Sequence, residues 1–161
     1  MMKALVTVIA TILVPGTGVF LVPYWILQAT GSLPSPRVGF IEVVSIALAL
    51  VGAGMVLWVS ETFVVRGGGT PVPIYPPRDF ITEGLYRFVR NPMYFGALLI
   101  LFAESIFFRS AWILLYAGML WLAFHAFAVL LEEPQLERRF GGAYLDYKTR
   151  TPRWLPRRPR E

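Results

Sequence analysis

Apolar residues gather into four long blocks, Ala4–Ala29, Phe40–Val65, Met93–Phe108 and Ala111–Leu131, separated by short polar or Gly/Pro-rich stretches. The first, second and fourth are long enough to cross a bilayer as helices, for which about 20 residues suffice. The third has 16 residues; as a helix it rises about 24 Å against a hydrocarbon core of about 30 Å, so it is expected to start inside the protein. Arg109-Ser110 makes a tight turn between the third and fourth blocks, which therefore read as a helical hairpin. The first block follows Lys3, as a signal peptide would, but it is too long, holds Pro15 and Pro23, and lacks an A-x-A site. It is read as a span kinked at its prolines. In the second block Ser45, Ala49 and Ala53 form a small-residue stripe of the kind that lets helices approach closely.

Between the blocks, Thr30–Gly39 is a turn-rich loop and Arg66–Glu83 is too rich in Gly and Pro for a regular helix. Its Gly67-Gly68-Gly69 run lacks the spacing of a phosphate-binding loop and reads as a flexible connection over the membrane face. Beyond Pro134, Leu136, Phe140, Tyr144 and Tyr147 recur at helical spacing. They predict a surface-lying amphipathic helix interrupted near Gly141-Gly142, with Trp154 and Leu155 pinning the tail to the interface. The pattern predicts an all-α, polytopic membrane bundle of about four transmembrane helices, with a C-terminal hairpin and a cytoplasmic amphipathic C-terminal helix.

Composition agrees with the pattern. The chain of 161 residues is long enough for one domain. Only 16% of residues are charged, against about a quarter in soluble domains, and the mean hydropathy is +0.59. The net charge of +5 is concentrated in the tail, which carries eight of the fifteen Lys/Arg after Pro134. A basic tail beside membrane helices points to anionic lipid, not nucleic acid. The lack of cysteine excludes disulfides, thiolate metal sites and a cysteine nucleophile, and a single histidine excludes a His-rich metal site. The region Arg66–Arg90 and the tail hold most of the basic residues, so the positive-inside bias places both, and both termini, in the cytoplasm.

The chemistry centres on Gly84–Gly96, GLYRFVRNPMYFG. Pro92 suits a first helical turn, and Asn91 then falls at the N-cap. The free backbone donors of that helix start, next to Arg90, make a site for a carboxylate or phosphate. At the far end of the hairpin stands Glu132-Glu133, expected at a helix C-terminus, where carboxylates are disfavoured and need a cation. That cation is either Arg138 or Arg139 or a cationic ligand. His125, seven residues before Glu132, is expected on the same helix face. Glu42 and Glu61 lie near the ends of the second block, within reach of water, and Glu61 is a further candidate. Glu104 is either an intramembrane functional carboxylate or a solvated or Arg109-paired one.

These residues resemble the isoprenylcysteine carboxyl methyltransferase and phospholipid methyltransferase families of integral membrane enzymes. The shared pattern comprises Gly84, Tyr86, Arg87, Arg90, Asn91, Pro92, Tyr94 and Gly96, then Glu132, Glu133, Leu136, Phe140, Gly141, Tyr144 and Tyr147, and a closing Pro152-Arg153-Trp154-Leu155-Pro156. The resemblance covers roughly the C-terminal half. It implies one methyltransferase domain over 1–161, with two N-terminal spans in 1–65 and a cofactor-binding half in 66–161. It also implies S-adenosylmethionine as methyl donor, with S-adenosylhomocysteine as product. Tyr86, Arg90, Asn91, Pro92, Tyr94, His125, Glu132 and Glu133 are then the expected cofactor-binding residues, and Arg90, Asn91 and Glu133 the expected catalytic ones. The donor's amino group and sulfonium suit the carboxylates, its carboxylate suits Arg90, and an aromatic face can meet the sulfonium.

One departure bears on mechanism. Asn91 stands where the family usually has His, and Asn cannot act as a base near neutral pH. A carboxylate acceptor needs no base; an amine acceptor does, with Glu133 or Glu61 as candidates. The expected activity is methyl transfer to a lipophilic acceptor, foremost the carboxylate of an isoprenylcysteine-like lipid. Phospholipid amine N-methylation and a non-enzymatic membrane scaffold are the alternatives; a transporter is disfavoured by the lack of an internal repeat. Short loops suit a bacterial inner membrane.

Overall fold

The computed structural model describes residues 16–31, 39–65 and 80–158, and every regular element among them is helical. The start of the first block with Lys3 and Pro15, the loop around Arg37 and the Gly67–Gly69 run lie outside the described residues. The elements are a π-helical turn Thr17–Leu21 leading into α1 (Val22–Thr30), α2 (Phe40–Val65), α3 (Pro92–Phe107) and α4 (Ala111–Phe127). A second π-helical turn, Ala128–Glu132, leads into α5 (Glu133–Phe140), and α6 (Gly142–Arg150) follows. Two helices among the described residues are long and apolar enough to cross a membrane, Phe40–Phe63 and Ala111–Phe140, while the start of the first block lies outside those residues. The third block is the short helix α3, as its length predicts. Most of the surface of both long helices is uncovered by protein, with Val43, Leu50, Leu57, Trp112, Leu115 and Met119 all exposed. Apolar faces of that extent belong in lipid.

The wide turn Thr17–Leu21 precedes Pro23, whose missing N–H breaks the regular ladder; the predicted distortion at this proline takes the form of a π turn. Gly31, at φ +62°, closes α1 as a left-handed cap. Helices α2 and α3 cross where Gly52 meets Gly96. A Cβ on Gly52 would lie 2.7 Å from the Gly96 carbonyl oxygen, and one on Gly96 would lie 2.8 Å from that of Gly52. Two bare backbones therefore set the crossing. The predicted stripe lies near it: Ser45 is buried and bonds the Ile41 carbonyl, and Ala53 packs on the core. That core consists of Val19, Ala97, Ile100, Leu101 and Ala117. Tyr116 on α4 donates to the Gly18 carbonyl at 2.9 Å, tying the hairpin to the first helix.

The α3–α4 turn places Arg109 at φ +50° and lets the Ser110 hydroxyl cap α4 by accepting from Ile113 N–H. Arg109 pairs at 3.0 Å with Glu42, not with Glu104. Glu42 also accepts from Gly39 N–H and is buried, where the sequence placed it within reach of water. Capping of its own helix start explains this position. Glu104 keeps one carboxylate oxygen buried without a partner.

The Glu132-Glu133 pair does not end a helix. The π turn carries the chain past Pro134, and Glu133 opens α5, whose first turn favours a carboxylate. Gly141 breaks the predicted amphipathic helix into α5 and α6 with φ +55° and ψ −128°, a conformation that requires glycine. The stripe is covered in part by Phe80, whose ring lies 5.1 Å from Phe140, 5.7 Å from Tyr144 and 5.2 Å from Tyr147.

Candidate functional site

The start of α3 and the junction between α4 and α5 meet at one end of the hairpin, and the C-terminal tail crosses them. A 3-10 turn, Gly84–Arg87, leads in, opened by Gly84 at φ +61°. Tyr147 donates to the Tyr86 carbonyl at 2.7 Å, fastening α6 to that turn. Burial pushes both phenols, Tyr86 and Tyr147, well above their ordinary range, so each stays a protonated donor. The backbone of the tail is held at two points: Arg90 N–H donates to the Pro152 carbonyl at 2.9 Å, and Arg157 N–H to the Phe88 carbonyl at 3.0 Å. Asn91 is the N-cap of α3, as predicted, but its side chain does not cap; it donates to the Arg153 carbonyl at 3.5 Å. Pro92 occupies the first turn and is buried.

Glu133 is surrounded by cations. Arg90 Nη1 reaches it at 2.9 Å, Arg153 forks onto both oxygens at 2.6 and 3.0 Å, and Lys148 stands at 3.3 Å. Lys148 is shared with Glu137 at 2.6 Å, and that bond raises the ammonium pKa. The bond to Glu133 likewise raises Arg153. A fork of two parallel N–H bonds is the strong form of such a pair. Arg138 and Arg139, the neighbours expected to balance the glutamates, do not pair with either; Arg139 lies over the Phe140 ring at 5.1 Å.

Glu132 is different. Tyr94 donates to it at 2.7 Å, and the Tyr94 ring stacks on Phe124 at 4.4 Å. Among the described residues no cation pairs with Glu132. Close by in the sequence of contacts, Arg90 Nε is buried without a partner. One end of the hairpin therefore offers a carboxylate that lacks a counter-ion and a guanidinium with a donor to spare.

His125 accepts from Trp154 Nε1 at 3.0 Å, within a cluster completed by Trp121. The π turn between His125 and Glu132 alters their helical phase, and each has its own partner, Trp154 and Tyr94. Beside this cluster runs a mostly apolar cleft of about 250 Å³, lined by Phe95, Leu98, Leu99 and Phe102 of α3, Trp121 of α4, and Trp154 and Leu155 of the tail.

The structure thus brings Arg90 to Glu133 and Tyr94 to Glu132, with Tyr86, Asn91, Pro92 and His125 at the same end of the hairpin. Glu61 is exposed on α2 and joins none of these contacts. Sequence reasoning missed Lys148 and the grip of Arg153 on Glu133, although the Pro-Arg-aromatic-x-Pro signature was visible at 152–156. No group of three or more His, Asp or Glu among the described residues could hold a metal ion.

The family model described as phospholipid methyltransferase matches residues 41–143, more than half of the chain. No curated protein matches it.

Proposed function

The chain belongs to the phospholipid methyltransferase family, a family of membrane methyltransferases, and from that premise we propose that it transfers a methyl group from S-adenosylmethionine to a lipophilic acceptor. The donor, when bound, supplies a methyl group on a positively charged sulfur. The observation that carries the assignment is Glu132, a carboxylate held by Tyr94 with no cation paired to it among the described residues. It would take the cationic part of the donor, and the spare Arg90 Nε–H would take the donor's carboxylate. Asn91, Pro92 and the start of α3 add backbone donors, and Tyr86 and Tyr94 shape the wall. Glu133, bound by three cations, holds Arg90 in register.

The whole of 1–161 is read as one such domain, with both termini cytoplasmic in a bacterial inner membrane. The cleft beside Trp121 would admit the acceptor from the bilayer. Because Asn91 supplies no base, the first reading of the acceptor is a carboxylate on an isoprenylcysteine-like lipid, which needs only desolvation and alignment. Phospholipid amine methylation is the second reading; it requires a base to receive the proton that an ammonium must lose, a role open to Glu132 only where the donor's cation sits elsewhere.

The test is calorimetric binding of S-adenosylhomocysteine to the detergent-purified protein, followed by transfer from methyl-labelled S-adenosylmethionine. The acceptors are an S-prenyl N-acetylcysteine and phosphatidylethanolamine in nanodiscs. Micromolar binding and label in one of the two products is expected. No binding by folded protein would leave a scaffold that keeps the fold without the activity.

A further inference from the structure

His125 is the single histidine of the sequence, and it stands beside the apolar cleft. Its ring lies 5.7 Å from Trp121 and 6.2 Å from Trp154, centroid to centroid, and both indoles line the cleft. The indole of Trp154 donates to His125 Nδ1 at 3.0 Å. An indole N–H can only donate, so Nδ1 must present its lone pair, and the proton of the neutral ring then sits on Nε2. Among the described residues no second hydrogen bond engages the imidazole. What the ring has left to offer is therefore an N–H, not a base.

The tail fixes the indole that imposes this. Arg153, its neighbour, forks onto Glu133, and the Pro152 carbonyl and Arg157 N–H are bonded to the backbone of the Gly84–Gly96 stretch. The cleft itself extends along α3 from Phe95 to Phe102, roughly 10 Å of helix. Its lining is aliphatic and aromatic throughout, which suits a hydrocarbon chain and no polar one.

We propose that Trp154 is a positioning residue: it holds His125 as a hydrogen-bond donor toward the methyl acceptor, whose hydrocarbon chain lies in the Phe95–Phe102 cleft and whose carboxylate or phosphate oxygen receives the Nε2–H. This rests on the methyltransferase reading above and narrows it to acceptors that carry an oxygen next to the chain. His125 orients that oxygen and takes no proton.

Because there is one histidine, uniform ¹⁵N-histidine labelling of the full chain reports this ring alone. In the wild type the expected spectrum is that of the Nε2–H tautomer, with Nδ1 unprotonated, before any ligand is added. Trp154→Phe keeps the ring and removes the donor; it is expected to give a tautomer average and to raise KM for the acceptor about tenfold while kcat changes little. His125→Gln keeps an N–H near the place of Nε2 and is expected to raise KM less than His125→Leu, which raises it about tenfold or more. A wild-type ring protonated on Nδ1, or a Trp154→Phe spectrum unchanged from wild type, overturns the positioning role. A loss of about 10²–10⁴-fold in kcat for His125→Gln as well as His125→Leu would make His125 a base and overturn the donor role. Protein that methylates neither the prenylcysteine nor phosphatidylethanolamine overturns the methyltransferase reading and the acceptor half of the proposal, whatever the tautomer.

Discussion

The two ends of the helical hairpin use the same ingredients to different effect. At the turn end, Glu42 has one arginine, Arg109, and one backbone donor, Gly39 N–H, and Ser110 caps α4. These groups satisfy one another, although Glu104, in the last turn of α3, keeps one carboxylate oxygen buried without a partner among the described residues. At the opposite end, among the described residues, Glu133 has three cations, while Glu132 next to it has a tyrosine and none, and Arg90 keeps a buried N–H without a partner. The difference lies in what is left over. A carboxylate–arginine pair that closes on itself fastens helices; one that leaves adjoining charge unmatched, at a buried place, is equipped to receive a ligand.

The largest effect should come from the crowded carboxylate. Glu133→Gln removes the charge on which Arg90, Arg153 and Lys148 converge and leaves Arg90 buried without its counter-ion. The expected loss is about 3–5 kcal/mol, the cost of breaking a buried pair from one side, seen as a lower midpoint of thermal unfolding in detergent. The tail should loosen at the same time, because Arg153 loses its anchor. If Glu133→Gln unfolds at the wild-type temperature, the convergence of charges does not hold this end together.

The neighbouring carboxylate should respond in the opposite way. Glu132→Gln still offers Tyr94 an oxygen, so the fold should survive. Affinity for S-adenosylhomocysteine, whose amino group carries the positive charge, should fall roughly 10–100-fold, the worth of a charged hydrogen bond of about 1.5–3 kcal/mol. Unchanged calorimetric affinity in the folded variant would remove Glu132 from the site and erase the contrast with Glu133.

Much of this contrast could be read from the sequence, and the parts that could not share a cause. The hairpin, the short third helix, the helix start at Pro92 with Asn91 as N-cap and the break near Gly141 all follow from local signals: block length, proline, glycine. The meeting of Arg90 with Glu133 and of Tyr94 with Glu132 follows from the hairpin once its two ends are antiparallel. What local pattern does not carry is the choice among partners. Arg138 and Arg139 are nearest to Glu133 in sequence, yet Arg153, twenty residues away, takes it, because a π turn carries the helix past Pro134 and Gly141 then redirects the chain. The same ignorance of turns made Glu132-Glu133 look like a helix end. Glu42 looked unpartnered because nothing local shows that Arg109, 67 residues on, pairs with it. The Gly52–Gly96 contact was half visible, since Gly96 closes the organising motif, but nothing local says that Gly52 lies against it.

That contact supports both ends of the comparison, since α2 carries Glu42 and α3 carries Tyr94 and begins two residues after Arg90. Gly52→Ala puts a Cβ 2.7 Å from a backbone oxygen that has nowhere to go. The helices must separate, at about 1–3 kcal/mol, read as lowered thermal stability. Gly54, also on α2, meets nothing within 4 Å, and Gly54→Ala should be neutral or slightly stabilising, since alanine is the better helix former. Equal effects at the two glycines would mean that helix propensity, not the crossing, sets the response.

The smallest effect is expected at the turn end. The Arg109 side chain is 63% exposed, and water screens its half of the ion pair, so the pair contributes little. Arg109→Ala should therefore shift thermal unfolding little and leave binding of S-adenosylhomocysteine unchanged, because Glu42 keeps its bond from Gly39 N–H and α4 keeps its Ser110 cap. Raised salt should mimic the substitution in the wild type, since an exposed pair is screened. A large loss of affinity in this variant would mean that the two ends are coupled through α3, with the closed end setting the geometry of the open one. Measuring Arg109→Ala beside Glu132→Gln, by the same calorimetry, separates a fastening from a site.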